Sequence, residues 1–480
     1  MPVRIARRSA QDARTVARLV SMSDILFHYE RVNPTSWAYL SSLLMLALFF
    51  KFTRVLSIRN LDLFLLISIA PGLLLVQYGF ENPEATRILK LGFLWLLTAG
   101  GVLMARMLFD TALVRRPLLE PNLSSAGLCF LGGALLFFLM ANVVTGNVSA
   151  ADASPGRTAR QIREGDEQTV GDAEDADSTF DTHGPGFWLL YLMPRITTQE
   201  VIKGARSDAV ETPREQNEQQ VAVLVATARV MAVLSQVSII AGLLWIGARH
   251  FENLTAGLAA ASIYLLLPYT ALWTGSPYHV LPASLLVGAV AFYRRPAAAG
   301  FLIGLASGTV YYPIFLLPLW CSFYWQRGVK RFAVGVLVAI GAMVIVVAAI
   351  DPSFETFKDH FMQLFGLRQP VDANQGIWQF WDPVYRLPIL GLFVALAFSY
   401  VAWPEPKNLG HLISGAAALM IGTQFWHAHD GGIFIAWYLP LVLLTIYRPN
   451  LEDRTALARV AEGWWQARQR RHGAAAKAAT

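Results

Sequence analysis

Arg294-Arg-Pro-Ala-Ala-Ala-Gly-Phe-Leu-Ile-Gly-Leu-Ala-Ser-Gly-Thr-Val-Tyr-Tyr-Pro313 continues as Ile314-Phe-Leu-Leu-Pro-Leu-Trp-Cys-Ser-Phe-Tyr-Trp325 and closes on Gln326-Arg-Gly-Val-Lys-Arg331. Two readings compete here. One long tilted helix can carry Ala297–Trp325 across a hydrocarbon layer about 30 Å thick. Alternatively, two short helices hinge at Gly308-Thr-Val-Tyr-Tyr-Pro313. Charge decides between them. Arg294 and Arg295 precede the stretch, and Arg327, Lys330 and Arg331 follow it. Basic residues collect on cytoplasmic loops. A hairpin places both clusters in the cytoplasm, and a single span cannot. A hairpin of two short helices is therefore predicted.

Working outward, four apolar runs precede this stretch: Trp37–Phe52, Leu61–Phe80, Leu91–Phe109 and Ser125–Val144. Val221–Gly247, Leu254–Trp273 and Val280–Tyr293 lead up to it, and Phe332–Ile350, Leu387–Trp403, Leu409–Trp426 and Ile433–Tyr447 follow. Runs of this length suit helices, because barrel strands would be about ten residues long and alternating. The bulk agrees: of 480 residues 55% are hydrophobic and 15% charged, with a mean hydropathy of +0.44. An ordinary soluble domain is about 25% charged. These figures exclude a disordered chain, a nucleic-acid-binding domain and a typical soluble enzyme. The predicted fold class is all-α, a polytopic transmembrane helix bundle of about 11–13 membrane segments with an acidic, flexible extracytoplasmic loop. The net charge of +6 reads as cytoplasmic loop charge. Cys129 and Cys321 lie inside apolar runs and form no disulfide framework or zinc spacing.

Five regions follow. Residues 1–36 form a basic amphipathic arm, with six arginines against three acids and no signal-peptide core. Residues 37–146 hold the first group of helices. Residues 147–220 form the acidic loop, where nine acids between Asp152 and Asp181 face three arginines. Within it an interfacial helix is expected near 187–196, from Phe187-Trp-Leu-Leu-Tyr-Leu-Met193. Residues 221–450 hold the second group, including an outer loop at 351–386. Residues 451–480 are a basic amphipathic tail carrying Trp464 and Trp465. Counting spans back from the acidic loop places Arg54, Arg59, Arg115 and Arg116 inside, but the basic arm outside.

Four clusters of polar residues stand out. Trp426-His-Ala-His-Asp-Gly-Gly432 offers His427, His429 and Asp430 as the wall of a sugar or phosphate pocket, or else is a polar connecting turn. The 351–386 loop exceeds a mere connector. It carries Asp351, Arg368, Trp378, Trp381, Asp382 and Arg386, combining carboxylates and cations with aromatic faces; an interfacial aromatic belt is the alternative. Glu81 and Glu84 directly follow an apolar run; either can serve as a general base, or both belong to a solvated loop. Arg229 interrupts an apolar run at a cost. If that helix begins at Val221, Arg229 lies about 13 Å along the span, where it either snorkels or faces a polar cavity that suits phosphate.

The stretch Arg294–Arg331 resembles the GT-C class of membrane glycosyltransferases, above all from Ile303 to Pro318. The shared features are a basic turn, a Gly-x-x-x-Gly-Leu-Ala run, an aromatic-Pro hinge and a second basic turn. The likeness is close over about thirty residues and general over about 200. Two departures stand out. That class carries its acidic residues soon after the first span, whereas Glu81 and Glu84 follow the second run. It also often has a basic residue near the hinge, where this chain has Val310, Tyr311 and Tyr312.

The resemblance implies transfer of a sugar from a polyprenyl-phosphate donor at the extracytoplasmic face of the plasma (inner) membrane. Glu81 and Glu84 are then the catalytic candidates. Arg229, Asp351, Arg368, Trp378, Trp381, Asp382, Arg386, His427, His429 and Asp430 are the substrate-binding ones. No cofactor and no metal site is specified, although a divalent cation is compatible. The partners are the lipid-linked sugar and membrane lipid, not nucleic acid. The rival readings are a transporter or flippase for a lipid-linked or anionic substrate, or a non-catalytic membrane subunit.

Overall fold

The computed structural model describes residues 33–112, 120–145, 213–350, 358, 376–427 and 430–461. The basic arm, most of the acidic loop with its interfacial segment, and the tail beyond 461 lie outside the described residues. Within them the regular structure is helical, apart from one bridge between Asn408 and Thr455.

The chain begins with α1 (Pro34–Phe49), α2 (Ile58–Ile67), α3 (Ile69–Glu81), α4 (Thr86–Leu108) and α5 (Ser125–Thr145). It continues as α6 (Pro213–Arg249), α7 (Leu254–Leu266), α8 (Pro268–Trp273), α9 (Pro277–Ala291), α10 (Pro296–Val310), α11 (Leu317–Phe323) and α12 (Val329–Ile350). It closes with α13 (Arg386–Ala402), α14 (Leu409–Thr423), α15 (Leu439–Tyr447) and α16 (Ala456–Arg459). Four stretches are long and apolar enough to cross a membrane: Ile58–Glu81, Thr86–Leu108, Ser125–Thr145 and Val225–Arg249. Shorter apolar helices fill the spaces between them.

Prolines explain several boundaries. The predicted run Leu254–Trp273 is two helices, because Pro268 opens α8 after an extended Leu267. Pro71 lies in the first turn of α3, so α2 and α3 meet at Ser68. The Ser68 carbonyl accepts a hydrogen bond from Trp95 Nε1 at 2.7 Å. Pro at the first or second position also opens α1, α9, α10 and α15.

The Arg294–Arg331 stretch is a hairpin. Helix α10 stops at Tyr311, whose φ is +55°, and a 3-10 turn over Tyr312–Leu316 reverses the chain into α11. Pro313 cannot continue the helical ladder. The two ends of the hairpin meet: Tyr324 Oη donates to the Tyr293 carbonyl at 2.5 Å. A Cβ on Gly328 would lie 2.7 Å from the Pro296 ring. The glycine run on α10 serves packing. Cβ atoms on Gly300 and Gly335 would lie 2.2 Å from the Phe332 carbonyl oxygen and 2.1 Å from the Ala297 carbonyl oxygen. Helices α10 and α12 therefore touch backbone to backbone, the geometry that small residues four apart permit.

The helix ends sort into two faces. One face gathers Arg59, Arg106, Arg294, Arg327, Arg331, Arg448 and Arg454. Arg59 donates to the carbonyls of Phe49 and Glu120. Arg327 and Arg331 donate to the carbonyls of Leu457 and Ala461 at 2.7 Å each, and Arg454 pairs with Glu252. At the heart of this face Arg106 holds Asp62 through two bonds of 2.7 and 2.9 Å and reaches Asp110 at 3.0 Å. The opposite face carries the end of α3, the start of α4, the α10–α11 hinge, the start of α13 and the turn between α14 and α15. Helix α1 ends on the basic face, where Leu48 and Phe50 contact Asn122. Its start, where Trp37 stacks on Phe138 at 5.5 Å, therefore points to the other face.

Candidate functional site

The face opposite the basic clusters holds a continuous nest of aromatic and histidine rings. Ser276 precedes α9 and sets His279 in its first turn. There His279 stacks on Trp273 at 4.4 Å, and its Nδ1 lies 2.7 Å from Tyr269 Oη. Phe434 stands 4.9 Å from His279 and stacks on Trp437 at 4.4 Å. His427 lies between Tyr312, at 4.7 Å, and Phe434, at 4.8 Å. Tyr312 reaches this place because the chain reverses at Tyr311. The hinge thus contributes a ring to the site rather than a cation.

Two loops are clasped over the nest. Gly376 and Asp430 both adopt left-handed backbone, with φ of +69° and +49°. A Cβ on Gly376 would stand 2.7 Å from the Asp430 Cα, so only glycine permits this approach. The Gly376 N–H donates to the Asp430 carboxylate. Burial pushes that carboxyl up to about 6, against the lowering effect of this bond. Ten residues on, Arg386 opens α13 and donates from Nε to the Trp426 carbonyl at 3.1 Å. Lys90, from the first turns of α4, lies 5.7 Å above the Trp381 ring and 5.8 Å above that of Phe380.

The predicted residues fare differently. Trp378, Trp381, Arg386, His427 and Asp430 come together. Trp378 is 3% exposed and meets Trp381 edge-on at 67°. The expected pair of stacking faces is therefore one, that of Trp381. Asp382 spends its carboxylate on a turn, accepting from Val384 N–H at 2.9 Å. Glu81 and Glu84 are exposed at the rim. Glu81 accepts from Gln77 Nε2 at 3.1 Å. Gly79 packs against Leu89, so Glu81 and Lys90 share that rim. Asp351, Arg368 and His429 lie outside the described residues.

Arg229 needs a correction. Its helix begins at Pro213 rather than Val221. Arg229 is half-buried and stands about 30 Å along the helix from Arg249. The apolar span of this helix begins at Val225, so Arg229 lies about 6 Å into it rather than 13 Å.

No family model matches the chain, and neither a curated protein nor a solved structure matches it.

Lys90, His279 and Trp273 were not singled out from the sequence, and Tyr312 stood out only as a hinge residue in place of a cation. Lys90 offered a signal, as a cation between apolar neighbours, but its partners lie nearly 300 residues away. Among the described residues no three His, Cys, Asp or Glu side chains converge as metal ligands. The arrangement offers Arg386 and Lys90 as cations, the face of Trp381 as a surface for a sugar ring and rim carboxylates that can accept a proton.

Proposed function

We propose that this chain is a multi-pass protein of the plasma membrane that transfers a sugar from a polyprenyl-phosphate donor at its extracytoplasmic face. Spanning is supported by the four long apolar helices and by the large apolar side chains turned outward, such as Phe130, Phe137, Ile345 and Leu392. Orientation is supported by the gathering of arginines on one face. The observation that carries the reading is the Gly376–Asp430 clasp. On the face away from those arginines it ties the loop that carries Trp381, with Lys90 above that ring, to the turn that carries His427, where Arg386 holds the Trp426 carbonyl.

In this reading Arg386 and Lys90 neutralise the donor phosphate as charge develops on the leaving group. Trp381 takes the apolar face of the sugar, while His427, packed between Tyr312 and Phe434, and Asp430, which holds Gly376, fix the loops around it. Glu81 takes the proton of the acceptor hydroxyl, with Glu84 as its alternate. The broken helix at Tyr311 favours a second reading, transport, because interrupted helices line transport sites.

One experiment separates the two. The protein is reconstituted in vesicles with a mixture of polyprenyl-phosphate sugars, and products are read by mass spectrometry. A new glycosidic bond, lost by roughly 10²–10⁴ in rate with Glu81→Gln, supports transfer. A sugar lipid that changes leaflet intact, with no new bond, overturns it in favour of transport.

A further inference from the structure

Three turns of the basic face lie side by side. The turn after α6 packs on the turn after α9: His250 Nε2 lies 2.7 Å from the Ala291 carbonyl oxygen, and its ring meets Tyr293 edge-on at 4.8 Å. The turn after α9 packs in its turn on the one between α11 and α12. There Tyr324 donates to the Tyr293 carbonyl, and Gly328 lies against the Pro296 ring. Each of the three brings basic residues: Arg249 the first, Arg294 and Arg295 the second, Lys330 the third.

No acid answers these four. Glu252 and Asp453, the nearby carboxylates, are taken by Arg454 and Arg459. Among the described residues Arg249, Arg294, Arg295 and Lys330 have no carboxylate partner. Arg249, Arg295 and Lys330 are exposed. Arg294 is already steered. Its Nε donates to Tyr293 Oη at 3.3 Å, and its guanidinium carbon lies 5.8 Å from that ring's centroid. This leaves its Nη fork for a two-oxygen partner. The charge also reaches inward: burial first, then Arg294, Arg454 and Arg249, holds the His250 imidazole below its usual value. His250 is therefore neutral at pH 7 and adds no cation. Exposed rings mark the depth. Trp245 stands one turn before Arg249 on the same side of α6, and Trp325 follows α11. Tryptophan settles where acyl chains meet headgroups, so the cations stand at headgroup level.

We propose that these three turns bind the phosphate of an anionic phospholipid from the cytoplasmic leaflet, with the Arg294 fork on two phosphate oxygens and Arg249, Arg295 and Lys330 balancing the headgroup charge. The inference rests on the membrane-spanning part of the reading above and not on sugar transfer. A zwitterionic lipid fits less well, because its own ammonium brings a fifth cation to four that have no acid. A soluble phosphate carries the same oxygens but no apolar chain to bury, so it gains less on binding.

The test purifies the full chain in mild detergent with equal amounts of phosphatidylglycerol and phosphatidylcholine, and native mass spectrometry reads the lipid that stays bound. Phosphatidylglycerol should be retained over phosphatidylcholine, a result that depends on no variant. Arg294→Gln and Arg295→Gln should each lower its retention roughly three- to fivefold, the effect of one basic side chain at an anionic surface. Arg87→Gln, exposed at the start of α4 on the opposite face, should leave it unchanged. Equal retention of the two lipids overturns the proposal and leaves the spanning reading standing; retention of neither overturns both. Full retention by the double variant Arg294→Gln with Arg295→Gln overturns the site. Displacement of the lipid by inorganic phosphate as readily as by fresh phosphatidylglycerol shows a free-anion site and overturns the lipid assignment.

Discussion

Arg448 and Asp110 lie 338 residues apart in the chain and are joined in the buried centre of the basic face. Arg448 Nε and Nη2 both donate to Asp110 Oδ2, at 3.1 and 2.5 Å. The second Asp110 oxygen accepts from Arg106, which also holds Asp62. Two cations and two anions are thus linked across α2, α4 and the end of α15. Desolvation lowers Arg448, and Asp110 works against that loss. The set ties the first helices of the chain to the last.

Breaking that set should be costly. Asp110→Ala leaves two buried guanidinium groups short of a partner, and about 3–5 kcal/mol of stability should be lost. The double variant Asp110→Ala with Arg448→Met should be less unstable than the sum of the two single changes. Thermal unfolding in detergent measures both. Additivity would show that the two residues do not act as a pair.

The contact between α10 and α12 predicts contrasting glycines. Gly335→Ala forces a methyl group into the Ala297 carbonyl and should cost about 1–3 kcal/mol. Gly341→Ala, two turns along the same helix, meets nothing within 4 Å. It should be neutral or gain about 1 kcal/mol from helix propensity. Melting temperatures of the two variants, compared side by side, decide the matter.

The clasp predicts a pH dependence. Burial raises the Asp430 carboxyl from 3.8 to about 6, so the clasped state binds more protons than the open one. An acid shifted upward gives stability that is full below about pH 4 and falls as pH rises to 6. The fall continues through that value and levels off about one pH unit above it. The groups packed on this carboxyl are the Gly376 N–H and the Tyr278 phenol. Hydrogen exchange at residues 376–379 should therefore quicken between pH 4 and 6, beyond the intrinsic rate. Asp430→Asn should abolish that excess while leaving exchange in α14 unchanged.

The hairpin predicts sidedness. With Cys129 and Cys321 replaced by Ser, single cysteines at Arg295 and Arg331 should react with an impermeant reagent from the same side of the membrane. A cysteine at Glu84 should react from the other. Labelling of positions 295 and 331 from opposite sides would contradict the reversal at Tyr311.

Much of the scaffold was legible in the residues. Ser125–Val144 was read within one residue of α5, and Leu91–Phe109 recovers most of α4. The hairpin was legible because two basic clusters flank one apolar stretch. These are local properties: backbone groups in an apolar run must pair within the run, and charge at its ends sets its sense. Break points were less legible. Pro268 divides a run that composition alone reads as continuous, and α6 starts eight residues before its apolar part because polar residues also form helix.

The site was decided by tertiary structure. Lys90 meets Trp381, Gly376 meets Asp430, and Gln77 and Trp273 line one cleft. Each pair joins segments far apart in the chain, and a side chain's chemistry does not encode which distant neighbour it finds. Burial is equally non-local. Nothing in Gly-Ile-Trp-Gln-Phe-Trp distinguishes Trp378, covered by the neighbouring loop, from Trp381, which stays open. The residues by themselves determine an array of apolar helices with charged ends. Packing alone determines which charges are paired within the core, as Asp110 and Arg448 are, and which are left exposed at the rim, as Glu81 and Glu84 are.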